Sequence, residues 1–280
     1  MRVLLTGANG FIGTHLSKSL SEEHEVTAIS RDVLELTNRE AVDAFFADKF
    51  FDVVIHTAFA GGHPSRESQE AVTLNMSMIY NLLNNKHKFR DLIHFGSGAE
   101  FKTGGDIDSA SMNVLEVYPT TPYAMSKNLI HRLLQDKSYA YNLRVFGCFG
   151  PDEPEYRFFR RNITRNLDDL PIEIDQNRLF STIYVEDLVE VVLFYLYNLD
   201  KKPLPRVLDC CYRSPSDLYE FASMINSVAS MSTYIHVIDP AQASDYVGDG
   251  KALSDLRIPL KGLERGIAET YRAIKSEYKA

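Results

Sequence analysis

Tyr123-Ala124-Met125-Ser126-Lys127 places a phenol and an ammonium four residues apart in this 280-residue chain. On a helix, positions i and i+4 share a face, so the two groups stand together. A free tyrosine ionises near pH ~10, too high for efficient proton transfer at neutrality, and a neighbouring cation favours the phenolate. The pair therefore suits proton transfer to or from a carbonyl or hydroxyl. The same spacing recurs at Tyr197–Lys201 and Tyr271–Lys275. Context separates the copies. Tyr197–Lys201 reaches a helix end before Pro203, Tyr271–Lys275 falls in the C-terminal helix, and both read as surface features. Pro119 and Pro122 instead bring a loop into a helix at Tyr123. An apolar run ending in Phe95-Gly96-Ser97 precedes that loop. Ligands bind at the carboxyl ends of parallel strands, and Ser97 and Tyr123 both reach such an edge.

A second chemical feature opens the chain. Met1-Arg2-Val3-Leu4-Leu5-Thr6 reads as a buried strand, and Gly7-Ala8-Asn9-Gly10-Phe11-Ile12-Gly13 leads into helical spacing at Thr14–Leu20. Strand, glycine turn and helix in that order suit a pyrophosphate resting on the N–H groups of a positively polarised helix end. Gly7 permits the sharp turn, Gly10 the close approach of a phosphate, and Gly13 the packing of helix on strand. The spacing is GxxGxxG, and an ordinary turn into an α/β helix would show the same glycines.

The elements that position these groups alternate. Strand-like runs recur at Val26–Ile29, Val53–His56, Leu92–Phe95 and Leu143–Phe146. Helix-like stretches lie at Arg39–Ala47, Glu67–Asn84 and Ala124–Asp136. That rhythm predicts an α/β fold: a Rossmann-like, doubly wound parallel sheet. Past Gly150-Pro151 the rhythm changes. Strands are predicted at Ile172–Ile174, Thr182–Val185 and Val207–Cys210, and helices at Asp187–Asn198, Ser216–Val228 and Leu263–Glu277. The expected organisation is a cofactor-binding domain over 1–150 and a smaller substrate-binding lobe over 151–280 that returns segments to the main sheet.

Composition narrows the partners. A net charge of −8 argues against a nucleic-acid binder. Arg157-Phe158-Phe159-Arg160-Arg161 is a short basic stretch, either a solvated helix face or an anion contact. Three cysteines, two of them adjacent, form neither a disulfide framework nor a zinc spacing. No apolar run approaches a membrane span. The first strand leaves no room for a signal peptide, so a cytoplasmic protein is expected.

In order along the chain these motifs resemble the extended short-chain dehydrogenase/reductase family, of NAD(P)-dependent epimerase/dehydratase type. Gly7, Gly10 and Gly13 match its phosphate loop, and Ser97 stands four residues before the aromatic Phe101. Tyr123 and Lys127 match its catalytic pair. Asn75 and Asn81 match the helix after the third strand, Leu143–Phe146 and Phe149-Gly150-Pro151 the stretch before the substrate lobe, and Tyr184-Val185-Glu186-Asp187-Leu188 its Tyr-Val-Asp-Asp motif. The resemblance implies catalysis by Ser97, Tyr123 and Lys127, no metal, and a homodimer. It implies a dinucleotide held by the loop residues Gly7, Asn9, Gly10, Phe11, Ile12 and Gly13. Further contacts are implied for Arg31, Leu36, Ala58 and Lys127.

The branch is read from particular residues. Arg31 closes the second strand where an acidic residue would hold a ribose 2′-hydroxyl. It either pairs with the 2′-phosphate of NADP(H) or is simply exposed. Asp32–Thr37 resembles a stretch of reductases that make deoxysugars, and Ala58–Gly62 resembles GDP-fucose synthase. Ser97-Gly98-Ala99 lacks the Asp-Glu of dehydratases, although Glu100 follows. Ala99 and Arg161 stand where the epimerising relative uses Cys and His. The implied activity is NADPH-dependent reduction of the C4 keto group of a nucleotide-linked 4-keto-6-deoxysugar. An NAD-dependent 4-epimerase, a non-enzymatic NADP-sensing module and a reductase of a non-sugar carbonyl stay open. One departure concerns nucleotide recognition: relatives carry Arg four residues before the motif tyrosine, where Phe180 stands and Arg178 is the nearest guanidinium.

Overall fold

A computed structural model describes residues 1–61 and 68–278. The first half runs β1 (Arg2–Thr6), α1 (Phe11–Leu20), β2 (Glu25–Ile29), α2 (Arg39–Phe46), β3 (Phe51–His56), α3 (Gln69–Asn84), β4 (Phe89–Ser97), β5 (Ile107–Asp108), α4 (Pro122–Leu134), β6 (Ala140–Val145) and β7 (Gly147–Phe149). The second runs α5 (Phe158–Leu167), β8 (Ile172–Gln176), β9 (Leu179–Phe180), β10 (Thr182–Tyr184), α6 (Val185–Asn198), β11 (Val207–Cys210), β12 (Ser216–Asp217), α7 (Leu218–Ala229), β13 (Ile235–Asp239), β14 (Tyr246–Val247), α8 (Lys251–Asp255) and α9 (Leu263–Tyr278). Glu67, the predicted first residue of the third helix, and Gly62 lie outside the described residues.

The chain divides into two compact, interleaved units. One comprises Met1–Gly104, Ser111–Arg144 and Leu199–Leu208, the other Gly105–Ala110, Val145–Asn198 and Asp209–Ala280. The six-stranded sheet has the order β11-β6-β4-β3-β1-β2, a Rossmann-like parallel arrangement. Its order doubles back at β1, as crossovers on both faces require. β1 is uniformly apolar because both its faces are covered: Val3, Leu4 and Leu5 have no exposure. The core below α2 and α3 joins Leu4, Val54, Phe46, Ile79, Leu82 and Leu92. In parallel register Thr6 meets His56 and His56 meets His94, so polar side chains gather at the carboxyl end of an apolar sheet.

Local signals set the helix ends. Asn38 Oδ1 accepts the Ala41 N–H at 3.1 Å and starts α2. Thr121 caps α4 and Pro122 occupies its first turn, where a missing N–H costs nothing. In the second unit Asp217 and Glu220 form a reciprocal cap for α7.

The predicted strand Leu143–Phe146 divides. β6 ends at Val145 and a separate β7 pairs with β10 instead. The reason lies at Gly147, whose N–H donates to the Ser181 carbonyl at 3.0 Å and where a Cβ would sit 2.0 Å from the Phe180 ring. Tyr271 also differs from expectation. It is buried, 4% exposed, and its hydroxyl donates to Asn166 Oδ1 at 3.0 Å, whereas Tyr197 is 71% exposed.

Candidate active site

The glycine loop is tight for a visible reason. Gly7 has φ +74°, and a Cβ there would come within 2.6 Å of the Ala58 nitrogen. A Cβ on Gly13 would stand 2.1 Å from the Gly7 carbonyl oxygen, so only glycine lets α1 pack this close. Gly10 N–H closes the turn onto the Gly7 carbonyl at 3.0 Å, and no side chain caps α1. Gly7 and Gly10 line a cavity of about 230 Å3 with Ser30, Arg31, Leu36 and Ala58. Asn9, Phe11, Ile12 and Gly13 belong to the same loop and first helical turn. The cradle fits a dinucleotide: a helix end without a side-chain cap, close backbone, and a rim where Leu34, Leu36 and Ala58 stand with Ser30 and Arg31.

Two asparagines of α3 brace that rim. Asn81 Nδ2 donates to the Leu36 carbonyl at 2.8 Å. Asn75 accepts the Ala60 N–H at 2.8 Å, donates to the Ala60 carbonyl at 2.9 Å, and donates to Ser126 Oγ at 3.2 Å. One amide thus ties the strand-end loop to α4. Arg31 lies 3.6 Å from Glu35, and Thr37 bonds the same carboxylate, which holds Glu35 below its usual ionisation range.

Ser97, Tyr123 and Lys127 sit in the first unit at the end of β4 and the start of α4. Ser97 is buried and its Oγ accepts the Ala99 N–H at 3.1 Å. Tyr123 packs edge-on to Phe59 with ring centroids 4.7 Å apart. Lys127 is buried. Its Nζ donates to the Phe95 carbonyl at 2.6 Å and lies 4.5 Å from the centre of the Phe59 ring. Burial lowers its pKa to about 8, opposed by the charge of Glu100. Phe59 therefore touches both members of the pair, a contact that sequence spacing did not reveal.

Glu100 is the larger omission. It is wholly buried, yet it bonds on every side. Its Oε1 accepts the Ser97 N–H at 3.2 Å and Asn142 Nδ2 at 3.0 Å, and its Oε2 lies 2.9 Å from His131 Nδ1. A signal existed: Tyr123, Lys127 and His131 continue the i, i+4 spacing along one face of α4. Nearby, burial pushes the His56 imidazole down to about 3 and keeps His94 neutral. His56 Nδ1 is 2.8 Å from Thr6 Oγ1, and both His94 nitrogens are buried without a protein partner.

The second unit holds a cavity of about 420 Å3 lined by Arg157, Arg161 and Arg178 among Phe149, Phe159 and Phe180. The basic stretch of the sequence thus faces a cavity through two of its arginines, while Arg160 pairs with Glu277 at 3.1 Å. Arg178 and Phe180 share the wall, the guanidinium 5.1 Å from the ring centre. The Nε atoms of Arg161 and Arg178 are buried without a partner. Asp187 of the Tyr-Val-Glu-Asp motif plays a structural part here. It accepts the N–H groups of Lys261 and Gly262 at 2.6 and 2.9 Å and the Tyr212 hydroxyl at 2.5 Å.

Residues 3–211 match the model of the NAD dependent epimerase/dehydratase family. The chain belongs to that family. The chain is similar to Protein CapI of Staphylococcus aureus, 23% identical over 241 residues, or 72% of this chain and 70% of CapI. UDP-glucose 4-epimerase of Thermotoga maritima, solved with UDP-glucose, shares the fold with TM-score 0.81 and 18% identity over 99% of this chain and all of that one. GDP-mannoheptose C4 reductase of Campylobacter jejuni, solved with NADP, does so with TM-score 0.73 and 17% identity over 98% of each. Among the described residues no helix is long and apolar enough to cross a membrane.

Proposed function

We propose that this member of the family is an NADPH-dependent reductase of the C4 keto group of a nucleotide-linked sugar. An epimerase and a reductase share its fold, so the choice rests on residues. The observation that carries it is the rim after β2. Ser30 and Arg31 line the cavity, and Glu35, the one carboxylate among the described lining residues, is bonded to Thr37 and faces Arg31 at 3.6 Å. A guanidinium suits a 2′-phosphate where an acidic residue would suit a bare ribose.

The dinucleotide's pyrophosphate would rest on Gly7–Gly13, its adenosine end by Arg31 and Leu36, and Ala58 beside it. When bound, NADPH supplies a hydride to the carbonyl carbon. Ser97 hydrogen-bonds the carbonyl oxygen, Tyr123 protonates it, and Lys127 keeps an ammonium beside the phenol and holds the nicotinamide ribose. Ala99 offers neither acid nor base, and the Glu100 carboxylate is turned inward and fully buried. Removal of protons from carbons beside the ketone has no group of that kind there. The cavity of the second unit, with Arg178 and aromatic walls and with Arg157 and Arg161 facing Glu153 and Asp175, suits a nucleoside diphosphate that takes over those two guanidinium groups.

Calorimetric titration with NADPH and NADH tests the reading. NADPH should bind more tightly, and Arg31→Asp should reverse the order. Equal or tighter binding of NADH would favour the redox-neutral 4-epimerase, with which a UDP-sugar 4-epimerase shares this fold.

A further inference from the structure

Residues Phe95, Gly96 and Ser97 are gripped by opposite charges. From one direction the Lys127 ammonium takes the Phe95 carbonyl at 2.6 Å; from another the Glu100 carboxylate takes the Ser97 N–H at 3.2 Å. Between them Gly96 has no room for a side chain, since a Cβ would lie 2.3 Å from both Glu100 Oε1 and Asn142 Oδ1. The carboxylate is anchored in turn by Asn142 Nδ2 and His131 Nδ1. Asn128 Nδ2 holds the Glu100 carbonyl at 2.9 Å. Three side chains of two elements converge on one buried acid that the proposed chemistry does not use.

We propose that Glu100 is a positioning residue: its buried carboxylate fixes the main chain of Ser97 and serves as counter-charge to the Lys127 ammonium. This rests on the reading that Ser97, Tyr123 and Lys127 act together. An isolated buried ammonium is unfavourable and sheds its proton unless a charge opposes burial. The titratable groups around Lys127 are Tyr123 of its own helix, His131 one turn further, His56 of β3, His94 of β4 and Glu100. Burial keeps His56 and His94 uncharged near neutrality. Glu100 is the carboxylate that opposes the burial of Lys127.

Glu100→Gln preserves shape and the acceptor for Ser97 while removing charge. NMR of isotope-labelled lysine, with Lys127 assigned by its loss in Lys127→Met, reads the ammonium directly. The Lys127 midpoint should fall by roughly one pH unit in Glu100→Gln. An unchanged midpoint would overturn the proposal. Should Glu100→Gln fail to fold, Glu100→Asp continues the test, since it keeps the charge and shortens the arm. Its Lys127 midpoint should stay near the wild-type value while the Ser97 amide exchanges hydrogen faster. An unaltered Ser97 exchange rate there would overturn the positioning role. None of these readouts needs a substrate. A lack of turnover with every nucleotide-linked ketosugar would sink the reductase reading and leave this one standing.

Discussion

At the scale of single residues, the three copies of Tyr-x-x-x-Lys differ by surroundings rather than by spacing. Tyr123 packs on Phe59, which also faces Lys127. Tyr197 is exposed, and Tyr271 is buried on Asn166. Tyr123→Phe keeps the ring and removes the hydroxyl, so turnover should fall by roughly 10²–10⁴-fold while NADPH binding hardly changes. Tyr197→Phe should be silent. Tyr271→Phe should leave turnover alone but lower stability by about 1 kcal/mol, the worth of one buried hydrogen bond. Steady-state kinetics and urea melts of the three variants measure this. Full activity in Tyr123→Phe would show that another group donates the proton.

At the scale of elements, the entry to α5 shows what tertiary context adds. Glu153 N–H bonds the Gly150 carbonyl, and the carboxylate returns to accept the Arg160 N–H at 2.9 Å in the first turn of α5. Burial pushes its pKa up to about 7, against the pull of Arg157, whose Nε lies 3.6 Å away. A folded pKa above the unfolded value of 4.5 means that the folded state holds the proton more tightly. The contribution to stability is full below pH ~4.5 and is lost as pH rises through ~7, about 3 kcal/mol in all. Urea unfolding of the wild type and Glu153→Gln from pH 5 to 8 should show the variant gaining relative stability as pH rises. Parallel curves would mean that Glu153 is ionised in the fold throughout. The elements that sequence located well were those with strong periodicity and clear ends, such as α4 behind Thr121-Pro122 and β1 as a continuous apolar run. The division of β6 from β7 was hidden because it depends on Phe180 meeting Gly147. Glu100 was hidden because its partners come from α4 and β6, and pairing of that kind is written in packing rather than in spacing.

At the scale of the whole molecule, each of the two units carries its own cluster of functional groups. The first holds Ser97, Tyr123, Lys127 and the glycine loop; the second holds a cavity of about 420 Å3 lined by Arg157, Arg161 and Arg178. Plain reduction and reduction coupled to epimerisation beside the ketone can use this same equipment, and a base that reaches the carbons flanking the ketone is what separates them. Ala99 cannot serve, Glu100 is sealed away by Ser97, Asn142 and His131, and Arg161 is engaged with the Glu173 carbonyl at 3.1 Å. An enzyme that epimerises the carbons beside the ketone must remove and return protons at C3 or C5, which opens those positions to exchange with solvent. Turnover of a nucleotide-linked 4-ketosugar in D₂O with NADPH should therefore place no deuterium at C3 or C5 beyond the uncatalysed background. Deuterium carried on the transferring face of NADPH should appear at C4 alone. Mass spectrometry and NMR of the product locate the label. Enzyme-dependent solvent deuterium at C3 or C5 would show a base acting on those carbons, and the molecule would then be an epimerase-reductase rather than a reductase.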